Sequence, residues 1–227
     1  MVRRFYGIDK QVRFEAAVRS IERGDFVLDV GGGLGDFLDF AGVSGVVADL
    51  PPRASLFGEL RMTHPFVAVR GKLPFRDGSF AVVVSLDTLE HVPKESRVEF
   101  VQEVLRVSRS KVILTFPEKQ YFLPLLLAIA RFYEVMGFGP TMRKSLDEHL
   151  RNGLPSSDSV LASVNHDEWE IRIRKFFGIG GSLFWLAQLA LPFLSTTPFN
   201  RAMGFLLARG AQDSGGEVLL QLERRVR

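Results

Sequence analysis

The sequence predicts an α/β protein: a doubly wound, mostly parallel seven-stranded sheet with helices on both faces and a helical lid insertion. Two observations carry this prediction. Short apolar runs alternate with amphipathic helical stretches along the chain, as expected of strands and helices in a parallel sheet. A glycine-rich loop also follows an early run that is apolar nearly throughout, as a strand buried on both faces should be. With 227 residues, the chain is predicted to form one domain, 1–227.

Five strands and three helices are predicted before Pro117. The strands are FVLDV at 26–30, GVVAD at 45–49, PFVAV at 65–69, FAVVVSL at 80–86 and KVILTF at 111–116. Helical spacing of apolar residues predicts one helix before the first strand, and the glycine loop leads into a short one at 36–40. A third, amphipathic helix precedes the fifth strand. Its predicted apolar face consists of Val98, Val101, Val104 and Leu105.

The composition changes after Pro117. We predict that 117–165 is a lid-like insertion over the carboxyl edge of the sheet, because it is rich in apolar and turn-forming residues. Late strands are predicted at 169–177 and 217–226, with a helix around Trp185 between them. No charged residue lies between Lys175 and Arg201, but glycines and a proline interrupt this stretch, which favours a buried or lid helix over a membrane span. A peripheral membrane contact is left open.

Composition argues against several classes of protein. The 29 Lys and Arg against 26 Asp and Glu give a net charge of only +3, so no nucleic acid partner is expected. The absence of cysteine excludes disulfides and thiolate metal ligands. The first residues are too charged for a secretory signal, so a cytoplasmic location is expected. No metal site is predicted: Asp147, Glu148 and His149 are consecutive, and helical geometry points consecutive side chains in different directions.

The glycine loop is predicted to bind a nucleoside, but not a phosphate. Gly31, Gly33 and Gly35 are spaced like a dinucleotide fingerprint, yet Asp36 stands where its last glycine belongs. Between Gly24 and Pro52 there are five aspartates and no basic residue, which would repel a pyrophosphate. A cationic ligand such as S-adenosylmethionine suits this charge.

Asp49 ends the second strand, where an acid can accept hydrogen bonds from both ribose hydroxyls. Capping of the turn that follows is the alternative role for this residue.

Four segments in this order resemble class I S-adenosylmethionine-dependent methyltransferases, in particular the group that acts on small molecules. They are VLDVGGGLGDF, GVVADL, LPFRDGSFAVVVSLDTLEHV and VLRVSRSKVILTFP. The resemblance implies S-adenosylmethionine as cofactor. It places the methionine end of the cofactor against Asp29, Gly31, Gly33 and Gly35, the ribose and adenine against Asp49 and Leu50, and the methyl group against Ser85, Leu86 and Asp87. The acid that often precedes LPF in the family is missing, which leaves adenine to backbone groups near Gly71.

Methyl transfer depends mostly on positioning, and a base is needed only where the acceptor must lose a proton. His149, Asp87 and His91 are the catalytic candidates. His149 is the preferred base because it lies in the predicted insertion, with an ordinary surface histidine as the alternative. Asp87 and Glu90 also have the spacing of a capping box, so a structural role is an equal alternative for them. His91 can instead orient a loop beneath the cofactor.

The sequence therefore predicts a methyltransferase that acts on a small, hydrophobic or amphipathic, lipid-like acceptor. Two alternatives from other classes stay open. One is a non-catalytic nucleoside-binding or scaffold protein on the same fold, which the missing adenine acid favours. The other is a nicotinamide oxidoreductase, against which Asp36 and the acidic loop count.

Overall fold

A computed structural model describes residues 7–50, 63–124, 127, 131, 147–176 and 215–225. All seven predicted strands are present. They are β1 (Phe26–Val30), β2 (Ser44–Asp49), β3 (Phe66–Ala68), β4 (Phe80–Leu86), β5 (Ser108–Pro117), β6 (Trp169–Phe176) and β7 (Glu217–Arg224). Three helices that pack on the sheet are α1 (Ile8–Val18), α2 (Asp36–Ala41) and α3 (Arg97–Val107). Shorter helical segments are Lys94–Ser96, 119–124, 147–152 and Ser157–Leu161.

The strands form one sheet in the order β3-β2-β1-β4-β5-β7-β6. β7 is antiparallel to both β5 and β6, and the other pairings are parallel. The mostly parallel, doubly wound sheet is therefore confirmed. The strand order reverses between β1 and β4, and ligands bind at the carboxyl ends of the strands beside such a switch point. The glycine loop follows β1 at this point.

Helices cover both faces of the sheet, as predicted. On one face α1 and α2 pack against alternate residues of the central strands, and the rings of Phe14 and Phe37 meet edge to face at 5.2 Å. On the other face α3 buries Val101, Val104 and Leu105 against the sheet. Val98 does not belong to this face, because 48% of it is exposed. Arg97 takes a buried position at the start of the same helix.

The predicted lid insertion lies only partly within the described residues. Tyr121 and Phe122, in the segment 119–124, pack against the backbone at Gly216, where an added Cβ would lie 2.1 Å from Tyr121. Phe122 also packs against the core on the α1 side of the sheet. Part of the apolar surface assigned to a lid thus belongs to the core. The helix around Trp185 lies outside the described residues.

None of the described helices is both long enough and apolar enough to cross a membrane.

Candidate active site

The glycine loop after β1 is built around left-handed backbone conformations. Gly31, Gly33 and Gly35 have φ angles of 78°, 58° and 80°, a region that side chains with a Cβ avoid. Gly31 is the most constrained, because a Cβ there would lie 2.3 Å from Oγ1 of Thr88. Its N–H donates to the carbonyl of Ala48 at 2.7 Å. The loop is therefore held between the ends of β2 and β4, with its backbone open to a ligand.

Asp49 connects the end of β2 to this loop. Its Oδ2 accepts the N–H of Gly33 at 2.7 Å, and its Oδ1 accepts the N–H of Leu50 at 2.6 Å. The turn-capping role is therefore present. A carboxylate oxygen can accept two hydrogen bonds, so Asp49 retains capacity for ribose hydroxyls. Leu50 is 62% exposed beside it.

Asp29 lies beneath the loop. It is 1% exposed, and an added Cβ on Gly32 would lie 2.2 Å from its Oδ2. That oxygen has no hydrogen-bond partner among the described residues. Burial, reinforced by the negative charge of Asp49, raises the pKa of Asp29 to about 7. The side chain supports the loop from below.

A cavity of about 640 Å³ opens at the carboxyl ends of β1, β2 and β4, a volume typical of small-molecule sites. Six of the predicted site residues line it: Gly31, Asp49, Leu50, Gly71, Asp87 and His91. The other six are Asp29, Gly33, Gly35, Ser85, Leu86 and His149, which are not among its lining residues. Ser85 is buried within β4, and Leu86 packs against the core on the α1 side.

One wall of this cavity is formed by the segment before LPF and by α3. This wall is lined by Val69 and Gly71 from that segment, by Leu73 of LPF itself, and by Glu99 and Phe100 from α3. The segment VAVRGK, directly before LPF, contains no acid. Glu99 of α3 is an exposed carboxylate at this wall.

A pair on α3 fixes the LPF segment in place. Glu103 accepts the N–H of Leu73 at 2.9 Å, and Arg106 donates to the carbonyls of Leu73 and Phe75. The hydrogen bond from Arg106 lowers the pKa of Glu103. Sequence analysis missed this pair, although its i,i+3 spacing on a predicted amphipathic helix was a usable signal.

The segment that follows β4 is a series of turns, so the predicted capping box of Asp87 and Glu90 is wrong. The N–H of His91 donates to the carbonyl of Thr88 at 3.0 Å, and between the end of β4 at Leu86 and Lys94 no helix begins. Asp87 has a positive φ of 49°. Its carboxylate is held by the guanidinium of Arg13, which reaches over from α1, and by Oγ1 of Thr115 at 3.2 Å. Tertiary partners thus fix Asp87 where a helix N-cap was expected.

Arg97 joins the turns after β4 to the segment 147–153. Its Nε donates to the carbonyls of Leu89 and Val92 at 3.0 and 3.1 Å. Its Nη2 donates to the carbonyls of Asn152 (3.1 Å) and Gly153. Sequence analysis missed this residue. The available signal was an arginine in helical register with the apolar face of α3.

This connection brings two catalytic candidates together. The rings of His91 and His149 lie with their centroids 5.0 Å apart, and Nδ1 of His91 is 3.3 Å from Oε1 of Glu148, 57 residues away in sequence. Glu90 is buried beside them, and burial raises its pKa to about 8. His149 is half-buried, and burial, together with the nearby His91, lowers its pKa. One ligand atom from each of Glu90, His91 and His149 lies within 4.8 Å of the other two.

Comparison with known proteins agrees with this architecture. Residues 28–116, from β1 to β5, match the family model of a methyltransferase domain. A magnesium protoporphyrin IX methyltransferase from Synechocystis PCC 6803, solved with bound SAH, aligns over 96% of this chain and 84% of its own at 15% identity and a TM-score of 0.57. A possible histamine N-methyltransferase from Thermotoga maritima aligns over 96% and 92% at 12% identity and a TM-score of 0.59.

A methyltransferase from Archaeoglobus fulgidus, described as SAM dependent, aligns over 94% of this chain and 92% of its own at 13% identity and a TM-score of 0.60. At these identities the likeness shows the fold. No sequence among the curated proteins matches the chain.

Residues 28–116 thus match a methyltransferase domain, and the fold of the chain is shared with methyltransferases. S-adenosylmethionine is the group with which the site is compared, because the structural neighbours include methyltransferases described as SAM dependent. The residues present suit this group: a glycine cradle that a side chain would fill, an acid at the end of β2, and a cavity of sufficient volume.

Proposed function

We propose that the protein transfers the methyl group of S-adenosylmethionine to a small, hydrophobic or amphipathic acceptor that enters beside the 147–152 helix. One observation carries the proposal. The cavity that begins at Gly31 and Asp49 continues to His91 and Glu148, so one space joins the glycine loop to the segment predicted to cover the acceptor.

For the cofactor, we propose that the ribose hydroxyls donate to Asp49, beside Leu50, at the end of β2. Val69, Leu73 and Phe100, in one wall of the cavity, would hold the adenine, because their apolar surfaces suit a flat ring. Glu99 is the acid at this wall that can accept from the adenine amino group, in place of the missing acid before LPF. The backbone of the glycine loop serves the methionine end, and the buried Asp29 supports that loop.

The methyl group is then directed towards Asp87 and Thr88. When bound, S-adenosylmethionine would supply an electrophilic methyl group, and its sulfonium would become a neutral thioether once the acceptor takes that group. The protein contributes chiefly by holding the two reactants in line. Asp87 suits a positioning role because Arg13 and Thr115 restrain its carboxylate from two sides.

His149 is the proposed base for acceptors that must lose a proton. Its lowered pKa favours the neutral imidazole near pH 7, which is the form that can accept a proton. The segment 117–165 is proposed to act as a lid, because Glu148 lines the cavity and Asn152 donates to the carbonyl of His91 at 3.1 Å. A lid would exclude water, and apolar cavity residues such as Val30 and Val92 favour an acceptor with hydrophobic surface.

Calorimetry and a transfer assay test this proposal. S-adenosylmethionine and S-adenosylhomocysteine should bind at micromolar affinity, and at 100 times the dissociation constant they should stabilise the fold by about 2.7 kcal/mol. With methyl-labelled cofactor and cell extract, label should enter the fraction that partitions into organic solvent. Label that enters only water-soluble products would contradict the proposed acceptor class. Stabilisation by NAD(H) and by neither sulfur nucleoside would contradict the proposed function itself.

A further inference from the structure

The cluster of Glu90, His91 and His149 lies at the acceptor end of the cavity and comes from two separate segments of the chain. One oxygen or nitrogen atom of each residue lies within 4.8 Å of the other two. Ligand atoms about 2.1 Å from a common ion lie roughly 3.4–4.2 Å apart, so modest side-chain movement would let all three contact one ion. His91 also lines the cavity, which places the cluster at its wall.

Two of the three side chains have a buried polar atom without a hydrogen-bond partner among the described residues. These atoms are Oε2 of Glu90 and Nε2 of His149. Glu90 itself is only 3% exposed. An unpartnered buried carboxylate is costly, and buried polar atoms of this kind call for a specific explanation. A cation bound between them would satisfy both atoms.

The surrounding charges are compatible with a cation. Glu148 lies 3.3 Å from Nδ1 of His91 and adds a carboxylate on the open side of the cluster. Glu217 is a second buried acid close to Glu90. Among the described residues, Arg13 and Arg97 are the cations that act on Glu90, and both already have partners: Arg13 pairs with Asp87, and Arg97 donates to backbone carbonyls.

We propose that Glu90, His91 and His149 bind one divalent cation at the acceptor end of the cavity. Two imidazoles and one carboxylate suit Zn²⁺, Mn²⁺ or Fe²⁺ better than Ca²⁺, which prefers oxygen ligands alone. Three protein ligands leave positions for water and for one or two oxygen atoms of a substrate. The cation site stands on its own geometry, whereas its use in catalysis rests on the proposed function.

A cation at this position specifies the chemical class of the acceptor. A hydroxyl oxygen bound to the ion loses its proton more readily, because the ion stabilises the oxyanion. Because the imidazole nitrogen bound to the ion cannot also accept a proton, that proton passes to solvent, and the ion then takes over the role proposed above for His149 as base. The oxyanion attacks the methyl carbon, the sulfur–carbon bond breaks, and the products are a methyl ether, S-adenosylhomocysteine and one proton. We therefore infer an oxygen acceptor, with a second oxygen nearby that can also reach the ion.

Titration calorimetry on the full chain tests the site directly. Protein freed of metal with EDTA and then dialysed is titrated with Zn²⁺ and with Mn²⁺, in the presence of S-adenosylhomocysteine. The wild type should bind one equivalent. His149→Ala and Glu90→Gln should each weaken binding at least tenfold, whereas the exposed-histidine control His166→Ala should bind like the wild type.

The outcomes separate the two proposals. Absence of a stoichiometric cation in the wild type, or equal affinity in His149→Ala and wild type, would overturn the metal site. Glu90→Gln removes a buried group, so His91→Asn provides a second ligand variant if the glutamine variant does not fold. The affinity of each variant for S-adenosylhomocysteine, measured in EDTA, should stay within about threefold of wild type. If the wild type did not bind S-adenosylhomocysteine, the proposed function would be contradicted, but the measured cation affinity would still decide the metal site.

Discussion

The two ends of the cavity are built in different ways. The cofactor end consists of β1, the glycine loop and β2, which follow one another along the chain and are joined by hydrogen bonds such as Gly33 N–H to Asp49. The acceptor end combines the turns after β4 with the segment 147–153, and Arg97 holds the two together. The glycine-loop part of the cofactor end is therefore specified by local sequence, whereas the acceptor end depends on long-range contacts.

This difference explains why the sequence predicts one end better than the other. At the cofactor end, a bare glycine loop between two apolar strands has few structural alternatives, and a run of aspartates without basic residues limits the charge of the ligand. At the acceptor end, no spacing in the sequence indicates that His91 and His149 approach each other. The two ends should consequently respond differently to mutation.

The largest effect is expected where the two ends touch, at Gly31. Gly31→Val places a Cβ in a left-handed conformation and against Oγ1 of Thr88. Backbone strain and overpacking together should lower the free energy of unfolding by about 3–5 kcal/mol. Urea unfolding measures this loss.

Gly33→Ala is the matched control for Gly31→Val. Gly33 also has a positive φ, but an added Cβ there has no heavy atom within 4 Å outside its chain neighbours. The cost should be only about 1–2 kcal/mol, from backbone strain alone. Equal losses at the two glycines would show that contact with Thr88 does not constrain the loop.

Arg97→Met should affect the acceptor end and leave the cofactor end nearly unchanged. It removes the guanidinium that donates to four backbone carbonyls, and we expect a loss of about 2–4 kcal/mol in the free energy of unfolding. Because Arg97 touches only the acceptor end, affinity for S-adenosylhomocysteine should change less than threefold while methyl transfer falls at least tenfold.

Arg106→Met provides the reciprocal variant for Arg97→Met. Arg106 holds the LPF segment at the cofactor end, so its loss should weaken nucleoside binding. If both variants lowered nucleoside affinity equally, the distinction between the two ends would not hold.

Sequence patterns predicted the sheet well because strand burial is a local property. All seven strands and the helices on both faces follow from the alternation of apolar runs. Asp87 shows where such patterns fail: its spacing from Glu90 suits a helix cap, but Arg13 and Thr115 hold it in a turn. Arg97 shows the complementary failure, because a charged residue at a helix start does not indicate that its guanidinium will donate to the carbonyls of Asn152 and Gly153, more than 50 residues away.

Asp49 tests the cofactor end alone. Asp49→Ala removes the acceptor of two loop N–H groups and the proposed acceptor of the ribose hydroxyls. Affinity for S-adenosylhomocysteine should fall by about 2–3 kcal/mol, as for hydrogen bonds to a charged group. Asp25→Ala is the control, since its carboxylate also accepts a backbone N–H, from Glu22, but does not line the cavity. An unchanged affinity in folded Asp49→Ala would restrict this residue to turn capping.

The smallest expected effect is the dependence of stability on pH that comes from Asp29. Its pKa in the folded protein is raised to about 7 from an ordinary value of 3.8, chiefly by burial and then by Asp49, while Lys10 opposes the shift and Asp36 adds to it. Between these two values the folded protein binds a proton that the unfolded chain has released. The stability contributed by Asp29 is therefore fully present below about pH 4 and is lost as pH rises towards 7.

Between pH 5 and pH 7 the loss from Asp29 should amount to about 2 kcal/mol. Asp29→Asn should flatten the stability profile by that amount in urea unfolding at pH 5, 6 and 7, because the amide does not titrate. The exposed Asp167→Asn should leave the profile unchanged. A parallel profile for Asp29→Asn and wild type would mean that Asp29 stays ionised beneath the loop, and its support of the glycine cradle would then rest on charge.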